Sequence, residues 1–250
     1  MNPTRLLGDF AAATALLTRI PAPRPVDHPG LLADAAWAFP LVGAGIGAVS
    51  ALVFLLAQML RLGDWPAALV AVLAGLALTG ALHEDGLADT ADGFFGGHDR
   101  EQRLEIMSDS RHGTFGVLAI VLSVLLRAAA LAEIGEVVQV GLALIAAHAA
   151  SRAALPPAMR ILAPARAEGL GATAGRPRLM LAIAALVIGT VLALAALGPG
   201  RGALAIALAG SALLGSGVMV RRRIGGYTGD VLGAFQQIAE IVMLLTSAAR

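Results

Sequence analysis

Asp85, Asp89 and Asp92 stand at i, i+4 and i+7. On a helix that spacing sets three carboxylates on one narrow face. Like charges so placed repel one another, and no arginine occurs between positions 83 and 99 to relieve them. A divalent cation would. Hard oxygen donors that leave room for coordinated water suit magnesium, which typically bridges protein carboxylates and substrate phosphates. Asp85, Asp89 and Asp92 are therefore the expected magnesium ligands and the centre of the catalytic set. Gly86, Gly93, Gly96 and Gly97 carry no side chain at the edges of this face and leave space for a bulky phosphate ligand. A plain solvated acidic loop is the bland alternative, and the spacing argues against it.

The neighbouring residues extend the set. His83 precedes the aspartates and is a candidate general base, or simply a polar residue at an interface. Glu84 lies off the aspartate face by one residue's rotation, within reach of a second metal ion or a substrate. Ser110 and Arg111 follow at the entry to an apolar run. An arginine fork matches phosphate oxygens bidentately, so Arg111 is expected to hold phosphate as well as to anchor the chain. Four glycines fall within residues 224–233, beside Thr228 and Asp230. Tight turns of this kind bind anions or place a carboxylate on a metal, and Asp230 also reads as a helix N-cap. Glu240, with Gln236 one turn before it, lies inside an apolar run, where an acid marks a functional site. Arg127, His148 and Arg152 fall in such runs too. Pairing with Glu240 or with one another is the plainer expectation for them, preferred for Arg127.

These residues sit in a chain built for lipid. Of 250 residues 58% are hydrophobic and 14% charged, and the mean hydropathy is +0.79. Soluble domains carry about 25% charge. There is no cysteine, so disulfides and thiolate metal sites are excluded, and all 18 basic residues are arginine, consistent with a high-GC bacterial source. A net charge of +1 argues against nucleic acid as a partner. Asp9 interrupts the first apolar stretch, which does not read as a cleavable signal peptide.

Crossing a bilayer takes about 20 mostly apolar residues. Residues 39–61, 66–82, 115–132, 137–155, 179–197 and 202–220 qualify, with 231–249 a weaker seventh because it carries Gln236, Gln237 and Glu240. Residues 6–20 are short and mixed, and read as an interfacial or partly buried helix. The fold class expected is all-α: a polytopic bundle of six or seven transmembrane helices, forming one membrane domain over 1–250. Arginine asymmetry orients it. Arg5, Arg19 and Arg24, and the segments 83–114, 156–178 and 221–230, are arginine-rich, whereas 62–65, 133–136 and 198–201 carry one arginine between them. The N-terminus and the three rich segments are thus expected in the cytoplasm, with 83–114 and 221–230 forming catalytic loops. Eight of the 17 acids fall within 84–109. At about 2.5–3.5 kcal/mol for each charge at the bilayer centre, eight cost on the order of 20 kcal/mol, so this segment meets water.

Residues 82–97, LHEDGLADTADGFFGG, and 103–116, RLEIMSDSRHGTFG, resemble the signature of the adenosylcobinamide-GDP ribazoletransferase (cobalamin synthase) family. So do 16–23, LLTRIPAP, 37–43, WAFPLVG, and 225–234, GGYTGDVLGA. The blocks occur in the family's order and span the chain. Two positions depart from the pattern: relatives often have leucine at 84 and an aliphatic residue at 112, which argues against an essential role for Glu84 or His112. The resemblance implies the last step of nucleotide-loop assembly in cobalamin biosynthesis. Adenosylcobinamide-GDP and alpha-ribazole, or its 5′-phosphate, would give adenosylcobalamin, or its 5′-phosphate, and GMP, with magnesium required. A bacterial inner membrane location is expected, and association with other enzymes of that assembly is a separate hypothesis, testable by co-purification from mild detergent. A CDP-alcohol phosphotransferase shares the logic but has arginine after the alanine of a D-G-x-x-A-R run, where Asp89 stands here. An aromatic prenyltransferase shows two aspartate-rich motifs rather than one. A transporter would place its acids near the bilayer midplane.

Overall fold

The computed structural model describes residues 3–22, 31–167, 169 and 173–249, so Arg24 lies outside the described residues. Helix α1, Pro3–Leu17, is followed by α2, Leu31–Asp34, a 3-10 turn, Ala35–Ala38, and α3, Phe39–Met59. Then come α4, Asp64–Thr79, α5, Leu82–Gly96, α6, Arg100–Ile106, α7, Thr114–Ile134, α8, Val137–Ala153, and α9, Leu155–Ile161. The chain finishes with α10, Leu179–Leu197, α11, Pro199–Ile224, and α12, Gly229–Ala248. Six helical segments are long and apolar enough to cross a membrane, and α4 with α5 forms a bent pair that makes a seventh. The protein is an all-helical polytopic bundle.

Two corrections to the sequence reading follow. Segment 83–114 is no loop: α5 and α6 occupy most of it. The N-cap of α12 is Thr228, whose hydroxyl accepts from the Val231 N–H at 3.2 Å, and Asp230 lies inside the first turn. The weakest-looking span, α12, is the central helix, with 67% of its hydrophobic window buried against 17% for α11 and 22% for α10. Its polar residues lowered its hydropathy because they face other helices, where lipid never meets them.

Small residues set the close crossings. A Cβ at Gly47 would stand 2.6 Å from the Leu144 carbonyl oxygen, and one at Gly43 would strike the His148 carbonyl, so α3 lies directly on the backbone of α8. Large apolar residues on the periphery, such as Leu118 and Leu122 on α7 and Met180 and Val187 on α10, are exposed to lipid. Helix α1, at 15 residues, is shorter than the length a membrane crossing usually takes. It buries Ala12, Ala13 and Leu17 in the cluster that holds Ala35 and Phe39, and Asp9 accepts from the Trp37 indole at 3.2 Å.

The bend before α5 places the site. Gly80 ends α4 at φ +65°, Ala81 follows at φ +56°, and the two helix axes meet at 91°. Glycine tolerates the left-handed region freely and alanine does not. The turn is braced by the Arg19 N–H, which donates to the Leu78 carbonyl at 2.8 Å.

Candidate active site

Helix α5 crosses the start of α12 at two glycines. A Cβ at Gly86 would stand 2.7 Å from the Asp230 carbonyl oxygen, and one at Gly233 would stand 3.1 Å from that of His83. This contact brings Asp85 and Asp89, one turn apart, beside Asp230. The third neighbour is His112, from the turn before α7: its Nε2 lies 3.8 Å from Asp85 Oδ1 and its Nδ1 3.7 Å from Asp89 Oδ1. Asp85, Asp89 and His112 each offer one ligand atom within 4.8 Å of the others.

Asp92 stands elsewhere. Its two oxygens accept the Gly113 N–H at 2.6 Å and the Gly116 N–H at 2.9 Å. Those amides belong to the start of α7, where donors lack partners within the helix and an anion is favoured. A Cβ at Gly113 would come 2.6 Å from Asp92, so a side chain there would displace the carboxylate. Asp92 thus fastens the 112–116 turn, and that turn carries His112 to the aspartates. The i+7 spacing could not reveal this, because the competing amides are 21 and 24 residues away.

Arg111 is fully exposed and forks onto Asp109, with Nη2 to Oδ2 at 2.6 Å and Nε to Oδ1 at 3.1 Å. The guanidinium holds the Asp109 carboxyl down at about 2. Ser110, between them, is exposed. Thr228 donates its hydroxyl to Asp230 Oδ2 at 3.1 Å.

A cavity of about 300 Å³ opens beside this cluster. Leu17, Phe39, Leu82, Leu155 and Met159 give it apolar walls, and His83, Asp85, Thr228, Asp230 and Arg166 supply its polar groups. Burial pushes the Tyr227 phenol, also in the wall, above its ordinary range, so it stays protonated.

Glu84 and Glu240 belong to a buried network behind the site. Arg127 bridges them, 3.0 Å from Glu84 Oε1 and 3.0 Å from Glu240 Oε1. Glu240 Oε2 lies 3.2 Å from His148 Nδ1 and 3.8 Å from Arg152, and accepts from Gln236. Gln237 donates to Glu84 at 3.0 Å and receives the Ser123 hydroxyl at 2.6 Å. Two carboxylates and two guanidinium groups balance, as burial demands. The network ties α5, α7, α8 and α12 together, and the expected pairing of Arg127 with Glu240 is present.

The arginines between the helices mostly bond backbone carbonyls. Arg100 donates to Ile224 and Ala165, Arg103 to Arg223, Arg166 to Leu104, Arg176 to Arg160, Arg221 to Ile161, and Arg223 to Phe94. Most of these oxygens lie in the last turns of α5, α6, α9 and α11, where carbonyls lack intrahelical partners and a cation is favoured. Pro164 and Tyr227 join their segments through a short bridge. The arginine-rich segments therefore converge at one end of the bundle, around the aspartates.

Residues 9–248 match the sequence profile of the family described as Cobalamin-5-phosphate synthase. The chain belongs to this family. Proteins named adenosylcobinamide-GDP ribazoletransferase share its sequence almost end to end. That of Bradyrhizobium diazoefficiens is 46% identical, covering 98% of this chain and 94% of the relative. That of Mesorhizobium japonicum is 43% identical over 99% and 95%, and that of Azorhizobium caulinodans 44% over 98% and 97%. No solved structure matches. The family membership bears out the resemblance read from the 82–97 and 103–116 blocks.

Proposed function

We propose that this membrane protein is an adenosylcobinamide-GDP ribazoletransferase: it joins the cobinamide phosphate of adenosylcobinamide-GDP to alpha-ribazole or its 5′-phosphate and releases GMP. The observation that carries the reading is the cluster of Asp85, Asp89 and His112 beside a mostly apolar cavity, in a chain of this family.

The donor set fits a divalent cation in part. Two carboxylates on adjacent turns are the hard donors magnesium takes, whereas an imidazole suits softer metals better. Asp85 and Asp89 would hold magnesium, which when bound neutralises the donor's diphosphate and the charge that grows on departing GMP. His112 would hydrogen-bond a water or a phosphate oxygen from its place between them. The ribose hydroxyl of the acceptor attacks the phosphorus attached to cobinamide. The new P–O bond forms as the bond to GMP breaks, and the hydroxyl proton passes to a base in the cavity wall. Asp230 and His83 both line that wall. Asp230 is half-buried and His83 fully buried, so Asp230 is the base that solvent and substrate reach, and Thr228 orients its carboxylate. Arg111 would swing from Asp109 to a phosphate of the donor. Glu84 and Glu240 act through the buried network rather than on substrate.

The site would face the cytoplasm of a bacterial inner membrane, where a nucleotide is available. The orientation rests on the convergence of the arginine-rich segments. Incubating purified protein with both substrates and magnesium tests the reaction. GMP and a cobalamin product in equal amounts are expected. Activity only with a CDP-linked alcohol would replace this reading.

A further inference from the structure

We infer that the cavity beside the aspartates is the acceptor's seat, and that Arg166 in its wall reads a phosphate on that acceptor. This deepens the transferase reading and rests on it.

At about 300 Å³ the cavity lies at the small end of ligand sites, which run from roughly 300 to 1,000 Å³. A corrinoid carrying a nucleoside diphosphate cannot enter it, whereas the flat apolar base of a small nucleoside can. Phe39, Leu82, Leu155 and Met159 offer such a base an apolar slot. The reacting hydroxyl then falls toward Asp85 and Asp230, which share the cavity wall with them.

Two of the lining side chains are carboxylates and one is a guanidinium. An anionic group on the acceptor meets repulsion from Asp85 and Asp230 and attraction from Arg166 alone. Arg166 is held by its bond to the Leu104 carbonyl and forms no close ion pair with a carboxylate among the described residues. One nitrogen is fixed by backbone, the charge also favours the nearby Asp230 carboxylate, and the remaining donors are left for a phosphate. Removing that charge should therefore discriminate between two acceptors that differ only in a phosphate.

Steady-state kinetics of detergent-solubilised wild type, Arg166→Gln, Arg166→Lys and Ala174→Phe, with alpha-ribazole and with its 5′-phosphate, tests the inference. Arg166→Gln is expected to raise KM for the phosphorylated acceptor on the order of tenfold or more. Its KM for unphosphorylated acceptor and for the nucleotide donor should stay within about twofold, and Arg166→Lys should recover part of the loss. Because both acceptors meet the same variant, misfolding cannot produce the split. Ala174 lines the cavity, and Ala174→Phe should raise KM for both acceptors while leaving that of the donor unchanged. Equal effects of Arg166→Gln on the two acceptors, or an effect on the donor instead, would overturn the assignment. So would inhibition by added phosphatidylglycerol that Arg166→Gln relieves without any change in acceptor selectivity, which gives the cavity to a lipid headgroup. If wild type itself forms no product, the transferase reading falls and takes this inference with it.

Discussion

At the residue scale, three aspartates at helical spacing have two different surroundings. Asp85 and Asp89 approach His112, and Asp92 holds the start of α7 by two backbone amides. Asp89→Asn is expected to lower turnover by about a hundredfold or more while thermal stability is kept, since electrostatic groups at a reacting phosphate contribute on that scale. His112→Leu should lower turnover by less than about tenfold, in keeping with its distances of 3.8 and 3.7 Å from the two carboxylates, which are longer than hydrogen bonds. Asp92→Asn should act differently, by lowering the melting temperature along with activity, because the amide retains only one acceptor for two N–H groups. Arg111→Gln should leave the melting temperature unchanged and raise KM for the donor on the order of tenfold, as loss of a bidentate phosphate contact would. The Asp109 carboxyl, held down near 2 by Arg111, stays ionised at every pH above the ordinary carboxylate range, and its pair is lost only as pH falls through about 2. The pH–rate profile between 5 and 9 should therefore show no inflection from this pair. The proximity of Asp85 to Asp89 was legible as spacing on one helix. Asp92's amides and the approach of His112 were not, because they depend on how the 107–113 turn folds back over α5.

At the element scale, the site exists because of one bend and two glycine crossings. Gly86→Val would drive a side chain into the Asp230 backbone and should abolish activity. By contrast, Gly45→Ala meets nothing within 4 Å and should be neutral in activity and melting temperature. Gly47→Ala, aimed at the Leu144 carbonyl, should lower stability, and thermal melts of the two alanine variants in detergent make the comparison. The buried network offers the strongest stability test. Arg127→Met leaves Glu84 and Glu240 without their shared cation and is expected to cost about 3–5 kcal/mol, the usual penalty for stripping one partner from a buried ion pair, read as a large drop in melting temperature. The helices were legible as apolar runs to within a few residues. The centrality of α12 was hidden, since the polar side chains that tie it to α5, α7 and α8 make it look like a poor membrane span in isolation. A hydropathy window averages over faces and cannot tell a polar residue that meets a helix from one that would meet lipid.

For the whole molecule, charge asymmetry and packing agree. The arginine-rich segments were read as cytoplasmic anchors, and in the fold they also cap the ends of α5, α6, α9 and α11 by bonding their free carbonyls. One set of residues thus builds the platform on which the aspartates sit and, in the orientation proposed above, also sets the cytoplasmic side. The opposite end is formed by the arginine-poor turns, near Glu133, Gln139 and Arg201. The chain has no cysteine, so single-cysteine labelling reads orientation directly. In intact spheroplasts Ser110→Cys should resist a membrane-impermeant maleimide and Arg201→Cys should react. The reverse pattern would place the site on the outer side and remove it from the nucleotide pool.

The proposed role of Asp85 and Asp89 is to hold the cation on which phosphoryl transfer from adenosylcobinamide-GDP depends. Its most direct test is GMP release as a function of magnesium, measured side by side for wild type and Asp89→Asn. The account predicts magnesium-dependent release matched by cobalamin product in the wild type. In the variant it predicts turnover reduced about a hundredfold, with the half-activating magnesium concentration shifted upward. Undiminished turnover at the same magnesium requirement in Asp89→Asn would contradict it.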